Sequence, residues 1–84
     1  MAYSILIVKS AEKELDKLPE TIRKQITSKI LSLEENPRPN GVKKLVHREE
    51  YRIRSGDYRI LYLIDESRKT VTIVAVGHRR DVYK

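Results

Sequence analysis

Tyr51-Arg52-Ile53-Arg54-Ser55-Gly56-Asp57-Tyr58-Arg59-Ile60-Leu61-Tyr62 is the stretch whose reading decides the fold. Its two halves alternate in polarity with a period of two residues, as strands do. Gly56-Asp57 separates them as a two-residue turn, with glycine supplying the positive φ that primed turns need at their first central position. A two-residue turn fixes the register. Ser55 then faces Tyr58, Arg54 faces Arg59, Ile53 faces Ile60, Arg52 faces Leu61 and Tyr51 faces Tyr62. One face of the hairpin becomes Tyr51, Ile53, Tyr58, Ile60, Tyr62 and Ile64, an apolar surface for a core, and the other carries Arg52, Arg54 and Arg59.

Downstream of the hairpin, Asp65 to Lys69 reads as a charged connection and Thr70 to Val76 as a last strand rich in β-branched residues. Upstream, Asn36-Pro37-Arg38-Pro39-Asn40-Gly41 is a turn-rich connection. Before it, Ile22, Ile26, Ile30 and Leu33 recur at helical spacing, with Pro19 suited to the first turn of that helix. A shorter helix precedes it, with Ser10 as its N-cap, Ala11, Leu15 and Leu18 on one face, and an end near Leu18. Tyr3 to Val8 reads as a short strand covered on both faces or lying beside a helix. The expectation is an α+β domain of order β-α-α-β-β-β, an antiparallel-rich sheet packed against a two-helix hairpin.

The chain has 84 residues, enough for one two-layer core, so residues 1–84 form a single domain and any function shares that core. With no cysteine, disulfides and thiolate metal sites are excluded, and the reading is cytoplasmic. No apolar run approaches the length of a bilayer span, which argues against a membrane role. Two histidines in separate elements lack metal-ligand spacing, so no metal or other cofactor is expected.

The formal net charge is +6, unevenly placed. Residues 1–40 hold seven Lys or Arg against six Asp or Glu, and residues 41–84 hold eleven against six. A localised excess suits a polyanion, although it also serves as a solvated surface. Arg54 and Arg59 directly opposed across a hairpin repel each other, a poor choice for stability that an anion between them would relieve. Arg52 projects from the same face, and guanidinium forks grip phosphate in a bidentate way. The alternative is that these side chains splay into water or pair with Glu49, Glu50 or Asp57. The tail Gly77-His78-Arg79-Arg80-Asp81-Val82-Tyr83-Lys84 favours a nucleic-acid site, because an aromatic ring beside arginines can stack an unpaired base.

The hairpin and Gly77 to Tyr83, together with Asn36-Pro37, Lys43-Lys44-Leu45 and the leading Met1-Ala2-Tyr3, resemble the signatures of RelE-type toxins of the RelE/ParE toxin–antitoxin superfamily. The resemblance spans essentially the whole chain. It implies a microbial-ribonuclease-like fold and a ribosome-dependent endoribonuclease, which cuts mRNA in the A site by attack of the ribose 2′-hydroxyl on the adjacent phosphate. By position it implies catalytic roles for Arg52, Arg54, Arg59, Arg79 and Tyr83. Arg52 and Arg54 bind RNA and take part in proton transfer, and Arg59 stabilises the phosphate. Arg79 stabilises the transition state and protonates the leaving 5′-oxygen, and Tyr83 orients the substrate. Lys43, Lys44, His78 and Arg80 are the expected RNA-binding residues around them. The implied partners are a cognate antitoxin and the 70S ribosome with its mRNA, with operator DNA bound only by the toxin–antitoxin complex.

One departure bears on the chemistry. Better-known members have lysines where this chain has Arg52 and Arg54, and arginine stays protonated. A general base, if one is needed, is sought among Glu49, Glu50, His47, His78 and Tyr83, or comes from the ribosome or the substrate. Two other functions fit the same scaffold: a ParE-type inhibitor of DNA gyrase and a non-catalytic RNA-binding domain.

Overall fold

The computed structural model describes residues 2–45 and 49–78. Along the chain lie β1 (Ser4–Ile7), α1 (Lys9–Asp16), α2 (Glu20–Ser32), β2 (Lys43–Lys44), β3 (Tyr51–Ser55), β4 (Tyr58–Asp65) and β5 (Thr70–His78). The strands form one sheet in the order β1-β5-β4-β3-β2, antiparallel throughout except where β1 runs parallel to β5. The fold is the expected α+β arrangement with one further short strand, β2.

The hairpin has the register its turn dictates, from Tyr51 opposite Tyr62 to Ser55 opposite Tyr58. Gly56 has φ +60°, and Asp57 keeps a negative φ, the pattern of a type II′ turn. The core lies on the hairpin's apolar face. Ile53, Ile60 and Tyr62 meet Val71, Ile73 and Val76 of β5 there, beneath Ala11 and Leu15 of α1 and Ile26, Ile30 and Leu33 at the end of α2. Burying each such aliphatic side chain contributes on the order of 1.5–3 kcal/mol. The spacing of Ile26, Ile30 and Leu33 turns one stripe of α2 inward, while Ile22 at the start of the helix is only partly covered.

β5 holds this face through a bulge. The pairing steps from Leu61–Ala75 to Tyr62–Ile73, which makes Val74 an extra residue on β5. Core positions therefore run Val71, Ile73, then Val76, and the parity of the strand reverses beyond the bulge.

Several boundaries differ from expectation for physical reasons. α1 begins at Lys9, and its N-cap is Val8, whose extended backbone makes the turn without a side-chain cap. Ser10 is thus inside the helix, and the helix stops at Asp16, before Leu18. Pro19 is the N-cap of α2 rather than its first helical residue. α1 packs over β5 and α2 over β3, each helix docking on a strand. β1 is not covered on both faces: as the sheet's outer strand it points Ile5 towards the core and leaves Leu6 58% exposed. β5 continues two residues beyond the expected Val76, to His78.

Candidate nucleic-acid interface

Pairing places Lys43 opposite Arg52, Arg52 opposite Leu61, and Arg54 opposite Arg59. Directly opposed residues share a face, so Lys43, Arg52, Arg54 and Arg59 all project from the side of the sheet away from the two helices. Arg54 is exposed and Arg59 half-buried, with its Nε sunk below the surface. On β5, the residue across from Arg59 is Gly77, which contributes no side chain to that row. Leu61, in the same row as Arg52 and Ala75, is buried and lies outside the helix-packed cluster. The arginine face is thus a sheet surface with a small apolar centre and guanidinium groups around it.

Beside this face the sheet has an open margin. The β2 ladder stops at Lys43–Arg52, so residues 53–55 have no strand partner on that edge among the described residues. A cavity of about 360 Å³ lies there, lined by Lys29, Asn40, Gly41, Lys43, Arg52, Ile53 and Arg54. Lys29 comes from the exposed side of α2 and Asn40 from the turn before β2. Neither belongs to the hairpin motifs, and no local pattern in the sequence links them to Arg52.

Of the other expected residues, Lys44 pairs with Tyr51, so it turns away from Lys43 and approaches Glu49 at 3.7 Å. His78 pairs with Tyr58 and meets its ring edge-to-face at 5.7 Å. The register therefore puts His78 on the face opposite Arg54 and Arg59. Arg79, Arg80 and Tyr83, together with His47, lie outside the described residues. Among the described residues, no three His, Asp or Glu side chains gather where they could hold a metal ion, and no helix is long and apolar enough to cross a membrane.

The far end of the sheet is built differently. Arg38 donates to Glu66 at 2.6 Å and lies over the Tyr51 ring at 5.3 Å. Tyr51 stacks on Tyr62 at 5.9 Å, and the buried Tyr62 hydroxyl donates to the Pro37 carbonyl at 2.7 Å. Tyr3 donates to the other Glu66 oxygen at 2.6 Å, and Lys69 approaches both Glu66 and the Tyr3 ring. These contacts join the loop after α2, the residue before β1 and the turn between β4 and β5. Hydrogen bonds from Tyr3 and then Arg38 hold the Glu66 carboxyl below its ordinary range, and those with Tyr51 and Glu66 raise Arg38 further. Burial pushes the Tyr62 phenol well up, keeping it a neutral donor.

Residues 5–83 match the family of the ParE toxin of type II toxin–antitoxin systems, parDE. The chain belongs to the RelE/ParE superfamily of type II toxins. Toxin RelG of Mycobacterium tuberculosis is 33% identical over 100% of this chain and 99% of its own. The mRNA interferase toxin RelE of Escherichia coli is 31% identical over 94% of this chain and 85% of its own. Among solved structures, the toxin–antitoxin complex RelBE2 from Mycobacterium tuberculosis contains a chain with a TM-score of 0.85 and 31% identity, covering 96% of this chain and 95% of that one. The RelE-like fold expected from the hairpin and tail motifs is therefore the fold of this toxin.

Proposed function

We propose that this toxin is a ribosome-dependent endoribonuclease that cuts mRNA in the A site and so arrests translation. The observation that carries the reading is the arginine face: Arg54 and Arg59 opposed across the hairpin, with Arg52 beside them and no helix-packed residue in the row. A relative 31% identical is named an mRNA interferase, which points the same way.

In the proposed reaction the ribose 2′-oxygen attacks the adjacent phosphorus, the bond from phosphorus to the 5′-oxygen breaks, and a cyclic phosphate remains on the upstream fragment. Negative charge gathers on the phosphorane oxygens, and fixed guanidinium groups stabilise that charge more than they stabilise the substrate. Arg54 and Arg59 are assigned to those oxygens and Arg52 to the RNA strand alongside. Arg79 is assigned to proton donation at the leaving 5′-oxygen and Tyr83 to orienting the substrate, with Lys43 and Arg80 holding the flanking backbone, while Lys44, turned away from Lys43 towards Glu49, receives no such role. His78, on the other face beside Tyr58, receives no base role here, and the 2′-hydroxyl proton is left to a group of the ribosome or substrate. The toxin acts in the cytoplasm, held inactive by a cognate antitoxin, with operator DNA bound by the toxin–antitoxin complex alone.

The test is to map cleavage ends on translating ribosomes with wild type and Arg79→Ala side by side. Cuts inside codons for the wild type, lost in the variant, are expected. Intact ribosome-bound messages in arrested cells, with Arg79→Ala still fully toxic, would sink the reading.

A second reading has its own observation, since the matching family is described by its ParE toxin. In that case the protein inhibits DNA gyrase by binding it. Loss of supercoiling activity at stoichiometric toxin would establish this alternative.

A further inference from the structure

The cavity beside β3 has three properties that an ordinary solvated edge lacks. Among the described residues, four cationic ones from three separate elements line it, Lys29 from α2, Lys43 from β2, and Arg52 and Arg54 from β3, with no carboxylate beside them in the lining. Its volume of about 360 Å³ falls within the range of small-ligand sites, roughly 300–1,000 Å³. One wall is the margin of β3 beyond the end of the β2 ladder, where residues 53–55, paired with β4 on one edge, have no strand partner on the other among the described residues. Asn40 adds an amide with both donor and acceptor atoms. Gly41, beside it in the turn, has φ +90° and also lines the cavity.

Cationic side chains gathered around one concavity attract an anion into it. A phosphate rail needs only the flat arginine face. A pocket joined to that face adds room for a discrete unit with its own phosphate.

We propose that this cavity is a subsite for one nucleotide of single-stranded RNA next to the scissile phosphate, with Lys29 and Lys43 on its phosphate and Asn40 at its base. Lys29 and Asn40 are then positioning and specificity residues that touch substrate away from the reacting atoms. The substrate class rests on the RNA-cleaving reading above. Lysine gives a point-charge contact that tolerates any base, and an amide can discriminate between base edges. The two residues thus divide the work: Lys29 sets affinity and Asn40 sets preference.

A direct binding experiment tests the subsite apart from cleavage. Isotope-labelled toxin is titrated with an RNA trinucleotide carrying 2′-O-methyl groups, which cannot be cut, and backbone amide shifts are followed. Shifts at Gly41, Ile53 and Arg54 are expected, weakening as salt rises. Lys29→Glu should raise the dissociation constant about tenfold or more, the scale of a lost charge-assisted contact. Lys24→Glu makes the same change of charge on the same helix outside the cavity, where Lys24 pairs with Glu20 at 3.0 Å. It should have a much smaller effect. Equal losses in the two variants, or shifts confined to the arginine face away from residues 40, 41 and 53, would overturn the subsite. So would a response to an acidic hexapeptide with none to the trinucleotide. On programmed ribosomes, Lys29→Ala should raise KM at nearly unchanged kcat, and Asn40→Ala should alter which codons are cut. Wild-type cleavage with neither change would reject the subsite and leave the ribonuclease reading standing. Absent wild-type cleavage would reject the ribonuclease reading, with the titration still deciding the subsite.

Discussion

Arg38 and Arg54 sit at opposite ends of the same strand pair in opposite electrostatic circumstances. Arg38 has a carboxylate at 2.6 Å and an aromatic ring beneath it, and the network it joins ties three separate segments together. Arg54 is exposed and faces another arginine across the hairpin. An arginine that serves the fold is given partners by the fold. One that serves a ligand is left facing outward beside another cation, where it is open to an anion.

The sharpest way to break this comparison is Arg54→Ala. Loss of a guanidinium from a preorganised phosphate site should reduce cleavage on ribosomes by about a hundred- to a thousandfold, measured as kcat/KM. A change below threefold would place Arg54 with the bystanders. At the other end, Tyr62→Phe removes the buried hydroxyl from the Pro37 carbonyl and should cost about 1–2 kcal/mol in urea unfolding, with little change in turnover.

Glu66→Gln probes the same end more gently. The Glu66 carboxyl has a lowered pKa in the folded state, so its stabilising contribution is present above the ordinary carboxylate range and is lost as pH falls through the folded value. Wild type should therefore melt higher than Glu66→Gln at neutral pH, and the two melting curves should converge in acid. A difference that persists unchanged in acid would mean that the carboxylate charge is not what matters. The smallest effect is the stability of Arg54→Ala, which should match or exceed wild type by a few tenths of a kcal/mol as the cross-strand repulsion disappears. A clear destabilisation would mean that Arg54 belongs to the fold after all.

Much of this contrast is legible in the sequence at one end and not at the other. The arginine face follows from a local rule, because a two-residue turn at Gly56-Asp57 sets every pair from Ser55–Tyr58 to Tyr51–Tyr62. The Arg38–Glu66 contact joins residues 28 apart in sequence and depends on how the loop after α2 folds over the strand ends. Nothing in a turn-rich segment announces that. β2 escapes for a different reason: it consists of two lysines, without the β-branched or aromatic residues that mark a strand, and it forms because β3 offers an edge. The start of α1 is hidden because Val8 caps it through backbone geometry, while Ser10 is the residue type that usually caps. Lys29 reads as one more solvated lysine on the outer side of α2 until the turn at Asn40 and Gly41 brings the β3 margin close to it. The roles of Arg79 and Tyr83 rest on motif position, since both lie outside the described residues.

The bulge at Val74 carries a consequence for how this chain tolerates insertions and deletions. Before Val74, odd-numbered residues of β5 face the core, and after it even-numbered ones do. Deleting that one valine would restore a single parity along the strand. The pairs Leu61–Ala75, Ile60–Val76 and Tyr58–His78 would stay as they are, so Val76 would remain in the core and His78 beside Tyr58, and the strand would lose only its local bulge. The same loss in the Asp65 to Lys69 turn would only shorten a connection between strands.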